Sequence, residues 1–296
     1  MTRIILAAHG GPSAEGAARL APLLARRLGA ELDAITVLEP LPPTDFGFGV
    51  IYAGTPQQEA DVGEALRAEA TAQLVRCGAD GCVPALHRGP AATEIAGAAR
   101  AARADLIVVG LGPHDVVDRA LGEETALQLV QMASTPVLAV PTDASALPHT
   151  AVAAIDFTPT SLLAARTAAR MLVDGDTLHL VHVRTRAALR AAREGAEGDA
   201  APEEPAARLA DVGGTLGAAP GVRIQTAVVD GEPARALLDY LERANGDIIA
   251  LGSHGYGLWK RLTLGSVASK IVRLTTRTVL VAPLGSLAAV EPQPPA

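Results

Sequence analysis

The segment Leu251–Val272, LGSHGYGLWKRLTLGSVASKIV, holds four glycines, a histidine and the basic pair Lys260-Arg261. Gly252 follows the apolar run DIIAL and so ends a buried strand, the edge at which open α/β sheets bind ligands. Gly252 and Gly255 remove side chains where a backbone must turn sharply or approach a ligand closely. Gly265-Ser266 opens the helical pattern SVASKIVRL. Serine is a favoured N-cap, and the free amides and dipole of a helix start attract an anion. The Ser266 hydroxyl adds a further donor, and Ser253 and His254 lie between the first two glycines. This is chemistry for holding a phosphate from two sides. The same glycines also suit turns that only let a helix pack on a strand.

The catalytic alternatives are poorer. No GxxxxGK[ST] and no GxGxxG occurs in the chain. His254 has the chemistry of a general base, but no serine or cysteine nucleophile with an acidic orienter stands near it in sequence. A ligand contact or a turn-stabilising role suits it better. Lys260 and Arg261 either steer phosphate or are solvated loop charges, and Trp259 reads as an anchor packing its loop to its own domain, with a lid residue as the alternative. His179 and His182 stand three apart on one strand and face opposite sides, a poor metal pair. Cys77 and Cys82, separated by GADG, form neither a CxxC motif nor half of a zinc site, and read as ordinary reduced thiols.

The elements that must position these residues are implied by composition. The 296 residues exceed the usual size of one domain. With 49% hydrophobic but only 2% aromatic residues, the core must be aliphatic. That suits buried parallel strands under alanine-rich helices. A net charge of −7 argues against a general nucleic-acid binder. No apolar run is long enough for a membrane span, and the start MTRIILAAHGG reads as a first strand, so a cytoplasmic protein is expected.

The chain repeats itself. RIILAAHGG at Arg3 is echoed by AVAAIDFTP at Ala151, and LDAITVLEP by LHLVHVRTR. ADLIVVGLGPH at Ala104 is echoed by GDIIALGSHG at Gly246, and TPVLAVP at Thr135 by RTVLVAP at Arg277. Two copies of one domain follow, residues 1–143 and 148–286, joined within PTDASALPHT. In the second copy, strands are expected at Ala151–Ile155, Thr177–Val183, Arg223–Val228, Asp247–Leu251 and Thr278–Val281. Leu162, Ala165, Ala169 and Leu172 are expected to share one helix face. The fold class is α/β: two tandem five-stranded parallel sheets, each with crossover helices on both faces. LPPTDFGFGVIYAGTPQQ and AAREGAEGDAAPEEPA read as exposed excursions after the second strand of each copy.

The spacing Gly252-x2-Gly255-x9-Gly265-Ser266 resembles the nucleotide-binding motif of the universal stress protein family, G-x2-G-x9-G-(S/T). The likeness extends to IDFTPTS, TLHLVHV and TVLVAP, and covers both copies. It implies a Rossmann-like sheet of order 3-2-1-4-5 with ATP, with or without magnesium, across its carboxyl edge. By the motif, Ile155 and Asp156 would lie at the ribose and adenine, and Val183 would meet adenine. Gly252, Ser253, His254 and Gly255 would line ribose and phosphates, and Gly265, Ser266 and Val267 would hold the phosphates.

The first copy departs from the motif where a ligand would lie. Gly110 and Gly122 are kept, but Pro113 replaces Gly255, Glu123 and Glu124 replace Ser266 and Val267, and His9 replaces Asp156. Carboxylates at that helix start satisfy the dipole and repel a polyphosphate. This copy is expected not to bind ATP in the family's manner. His9, His114, Glu123 and Glu124 have the chemistry of a metal set, against the plainer reading of a decayed site.

The resulting expectation is an ATP-binding regulatory protein of the stress-response class with one site, in the second copy. Its partners would be an adenine nucleotide and a protein of unknown identity, with neither nucleic acid nor membrane. A slow ATPase or self-phosphorylating enzyme and a nucleotide-free scaffold are the other readings. The apolar final strands of the copies, common dimer edges in the family, imply a pseudo-dimer within the chain and allow a homodimer.

Overall fold

The structure, a computed structural model, describes residues 1–39, 44–45, 50–51, 55–112, 122–185, 204–253 and 265–289. The first copy runs β1 (Arg3–Ala7), α1 (Glu15–Leu28), β2 (Glu31–Leu38), α2 (Pro56–Arg76), β3 (Ala85–Arg88), α3 (Ala91–Ala101), β4 (Leu106–Leu111), α4 (Gly122–Met132) and β5 (Val137–Pro141). The second runs β6 (Thr150–Ala154), α5 (Pro159–Met171), β7 (Thr177–Arg184), α6 (Pro205–Thr215), β8 (Arg223–Asp230), α7 (Pro233–Arg243), β9 (Ile248–Gly252), α8 (Ser266–Leu274) and β10 (Thr278–Ala282).

The strand order is β3-β2-β1-β4-β5 in the first copy and β8-β7-β6-β9-β10 in the second, which is 3-2-1-4-5 in both. Pairing is parallel throughout β1–β4 and β6–β10. By contact density the chain divides into Met1–Met132 with Val140–Ser145, and Ala133–Ala139 with Ala146–Ala296, so the division falls inside β5.

Continuous apolar runs become the central strands because both their faces are covered. All six residues of β4 and all five of β10 are buried. The third strand of each copy lies at an outer edge, and β8 is exposed or half-buried along its length. Its Asp230 pairs with Arg184 of β7 at 2.8 Å, and charge of this kind blunts an edge against further pairing.

Helix ends are written in the local sequence. Thr55 and Gln58 form a reciprocal capping box on α2, with Thr55 Oγ1 accepting from Gln58 N–H and Gln58 Oε1 from Thr55 N–H. Gly29, at φ 60°, closes α1. Helix α5 starts with Thr158 as cap and Pro159 at its first position, and the buried face is made by Ala164, Ala165, Ala168 and Ala169. Of the four residues expected to share a face, Ala165 and Ala169 lie on this buried side, Leu172 is buried but is an extended residue after the helix, and Leu162 is half-exposed. Small side chains let the helix sit close on the strands below, and a larger residue there would overpack the core at about 1–3 kcal/mol.

The opposite, amino edge is tied the same way in both copies. Asp105 Oδ2 accepts from Thr2 N–H (2.6 Å) and Arg3 N–H (3.1 Å). Asp247 Oδ2 accepts from His149 N–H and Thr150 N–H, both at 2.9 Å. Burial pushes the Asp105 carboxyl up, but the hydrogen bonds from Thr2 and Arg3 outweigh it and hold it below its ordinary value.

The first excursion contains a small antiparallel pairing of Thr44–Asp45 with Val50–Ile51, which the sequence did not suggest. Its last four residues, Thr55 to Gln58, cap and open α2, and the rest of it, with most of the second excursion, lies outside the described residues. Among the described residues no helix is long and apolar enough to cross a membrane.

Candidate functional site

The carboxyl edge of the second copy is built from two turns. The first follows β6. Ile155 is buried, donates its N–H to Val181 O (2.8 Å), and accepts from His182 Nδ1 at 2.7 Å, which locks the end of β6 to β7. Asp156 is half-buried, and its Oδ1 accepts from Thr158 N–H (3.0 Å) and Thr158 Oγ1 (2.5 Å). Thr158 Oγ1 in turn accepts from Ser161 N–H and lies 3.1 Å from Thr160 Oγ1. The carboxylate therefore fixes the helix cap through Oδ1 and leaves Oδ2 without a hydrogen bond among the described residues.

The second turn follows β9. A Cβ placed on Gly252 would lie 2.5 Å from Thr160 Oγ1 and 2.8 Å from Ser161 N. This glycine is required by the start of α5, and it brings the two turns together. Ser253 is fully buried, donates its N–H to Ala282 O (3.0 Å), and accepts from Gly265 N–H at 2.8 Å. That bond draws the start of α8 onto the end of β9.

Gly265 is the N-cap of α8, with φ −56° and ψ 144°; Ser266, expected to cap, is instead the first helical residue. The reason is the Ser253 bond, which fixes the chain one residue earlier. The Gly265 amide, expected to be free for an anion, is thereby occupied. A glycine cap has no side chain to offer, so the first-turn amides of exposed Ser266 and half-buried Val267 receive no bond from it. Val183 lies half-buried near the end of β7, opposite Val229. His254 and Gly255 lie outside the described residues, as do Trp259, Lys260, Arg261 and the loop through Leu264.

Sequence reasoning missed two residues at this edge. Phe157 has φ 63°, a left-handed backbone that costs a bulky residue about 1–3 kcal/mol. Its ring centroid lies 5.0 Å from that of His182, and the Arg208 guanidinium carbon of α6 stands 3.7 Å from the ring centre. The repeat alignment held a clue, since Phe157 falls opposite Gly10 of AAHGG.

The first copy keeps the same frame. Gly110 matches Gly252: a Cβ there would lie 2.1 Å from Ser13 O and 2.9 Å from Ala14 Cα. His9 matches Asp156 in function as well as place. Its Nδ1 accepts from Gly11 N–H at 3.2 Å and its Nε2 bonds Ser13 Oγ at 3.1 Å. The ring keeps an exposed face, yet the protein crowding it lowers its pKa below the ordinary imidazole value, which suits an accepting, neutral ring.

Gly10, at φ 78°, has α2 against it, for a Cβ there would lie 2.8 Å from Glu69 Cβ and 2.9 Å from the Glu69 carbonyl carbon. Fully buried Gln73 ties α2 to this turn, donating Nε2 to Gly11 O (3.0 Å) and Glu15 Oε2 (2.9 Å). The Gln73 bond, Arg19 and Arg76 together hold the Glu15 carboxyl below its ordinary pKa against the effect of burial. Helix α4 starts at Gly122 with Glu123 and Glu124 in its first turn. Pro113 and His114 lie outside the described residues.

The remaining candidates are structural. His179 is buried with Nδ1 3.0 Å from the Tyr240 hydroxyl, and burial holds its pKa down, so the ring stays neutral. Cys77 and Cys82 are free thiols whose pKa values burial raises, the state of unreactive cysteines. Among the described residues no cluster of His, Cys, Asp and Glu could hold a metal.

A duplicated 3-2-1-4-5 parallel α/β unit, with the turns after its first and fourth strands meeting at its carboxyl edge, defines the class of the protein. A model of the Universal stress protein family matches residues 1–141 and again 149–283. The chain belongs to the universal stress protein family, in tandem form. It is similar to the structure of a universal stress protein from Archaeoglobus fulgidus, with TM-score 0.67 and 18% identity, covering 95% of this chain and 98% of that one. At that identity the likeness is one of fold. Over 61 residues the chain is 34% identical to a universal stress protein of Methanocaldococcus jannaschii, and over 61 residues 36% identical to the universal stress protein YxiE of Bacillus subtilis. These matches span 36% and 41% of the two relatives, and 21% of this chain.

Proposed function

We propose that the second copy binds ATP at its carboxyl edge and that the first copy does not. The observation that carries the reading is the Gly265 cap. It is drawn onto Ser253 at 2.8 Å and offers no side chain to the amides of Ser266 and Val267. A helix start without a capping side chain, beside a strand end, suits a phosphate. Gly252, Ser253, His254, Gly255, Gly265, Ser266 and Val267 would lie along ribose and phosphates. Ile155, Asp156 and Val183 would lie along the base and ribose, with Asp156 Oδ2 suited to ribose hydroxyls.

The role is regulatory. Binding favours one arrangement of the segment between Ser253 and Gly265, which a protein partner reads, in proportion to its difference in affinity between arrangements. Magnesium would sit with the phosphates rather than in a protein cage.

Calorimetric titration of the full chain with ATP tests this, alongside Gly265→Asp. Aspartate is a better cap than glycine for α8, so the variant melts no lower than wild type. Its carboxylate fills the amides and repels phosphate, so ATP affinity falls by about tenfold or more. Unchanged affinity would remove the phosphate reading, and absence of binding by wild type would remove the nucleotide altogether. ATP turnover that His254→Ala abolishes would make the protein an enzyme instead.

A further inference from the structure

We propose that Arg208 is a stacking contact for the base of the bound nucleotide, with Phe157 as the residue that positions it. The inference rests on the nucleotide reading above. Phe157 and Gly10 share one left-handed backbone, φ 63° and 78°. Glycine adopts it freely, so the turn itself has no need of an aromatic residue. The second copy keeps the ring despite the strain, and the ring is half-buried rather than part of the core. What the ring holds is Arg208, at 3.7 Å from its centre.

Arg208 is half-buried. Other arginines meet carboxylates, as Arg184 meets Asp230 and, in the first copy, Arg67 meets Glu64. Among the described residues the Arg208 guanidinium has its ring contact and no carboxylate partner. A planar cation pinned on one face by an aromatic ring has a second face suited to another π system.

Its location selects the ligand. Phe157 follows Asp156 and touches His182, the neighbour of Val183. These are the residues proposed above for the base and ribose end. The group that fits is a flat purine base, not a phosphate. The first copy cannot build this contact, because the backbone and Cβ of Glu69 lie where a side chain at Gly10 would go.

The test compares ATP with inorganic tripolyphosphate, the second measured by competition against the first, on the full chain. In Arg208→Ala the preference for ATP falls about tenfold while tripolyphosphate affinity is unchanged. Arg208→Lys shows the same fall, because an ammonium has no plane to stack. Phe157→Gly, which adopts the backbone already seen at Gly10, repeats the loss, and the double variant loses no more than either alone. A merely structural ring would lower the melting temperature and leave the preference intact, which overturns the proposal. So would rescue by lysine, which marks Arg208 as a charge for phosphate, or tighter ATP binding in Arg208→Ala, which marks it as a cover. If wild type does not bind ATP, the parent reading fails; if it binds and Arg208→Ala matches it, only this inference fails.

Discussion

Gly10 and Phe157 occupy one position of the repeat with nearly the same backbone, and what stands opposite them differs. In the first copy α2 lies directly on the turn and is fastened there by buried Gln73. In the second, a side-chain stack of Phe157, His182 and Arg208 separates turn and helix. The strands, the strand-end glycine and the cap-fixing residue after the first strand are common to both. The copies thus share what the fold needs and diverge in the space above it. A glycine kept in both copies is therefore weak evidence for a ligand, and a residue present in one alone is stronger.

The largest effect expected of that comparison is at the shared glycines. Gly110→Ala and Gly252→Ala each drive a Cβ into backbone, Ser13 in one copy and Ser161 in the other. Each should cost about 1–3 kcal/mol in chemical denaturation, the range of an overpacked core. If Gly252→Ala instead kept full stability and lost only ATP binding, the glycine would be a ligand residue and the comparison would break.

The amino edges come next, where the copies should behave alike. Asp105→Asn and Asp247→Asn each weaken two backbone hydrogen bonds to a carboxylate, and Asp105→Asn a third from Thr2 Oγ1, about 1–2 kcal/mol of stability at neutral pH. For Asp105 the folded pKa lies below the unfolded one, so its contribution is present above the unfolded value and is lost as pH falls through the folded one. Denaturation curves between pH 7 and about pH 3 should show wild type and Asp105→Asn converging towards acid. A marked difference between the two variants at neutral pH would mean that the copies differ in frame as well as in ligand edge.

The smallest effect is expected at His9. His9→Asn keeps an acceptor for Gly11 N–H and should change stability at pH 7 by no more than about 0.5 kcal/mol. The imidazole pKa is lowered on folding, so its contribution is full above the unfolded value and declines as pH falls through that value towards the folded one. The variant should lose that slope in melting temperature between about pH 7 and pH 5. A slope kept in His9→Asn would assign it to another group.

Much of the frame was legible in the sequence. Buried parallel strands are continuous apolar runs, and the five strands of the second copy fall within two residues of where DIIAL, TLHLV and their fellows place them. The importance of Gly252 was legible, but not the reason for it. The atoms it avoids belong to Thr160 and Ser161, far away along the chain. Ser266 was read as a cap because serine is a good one, and a tertiary bond to Ser253 moved the cap to Gly265. Phe157 was hidden because a residue letter does not carry φ, and Arg208 because nothing local links α6 to a turn after β6. The repeat alignment held a pointer to Phe157, since the glycine opposite it in the first copy is the residue that favours a left-handed turn.

The bond from Gly265 N–H to Ser253 O also has an entropic consequence. It joins the two ends of residues 254–264, whatever path they follow between. Bringing the ends of a chain segment together is a fixed entropic charge on any ordered state of it, and grows only slowly with length. Here that charge is met by folding, before any ligand arrives.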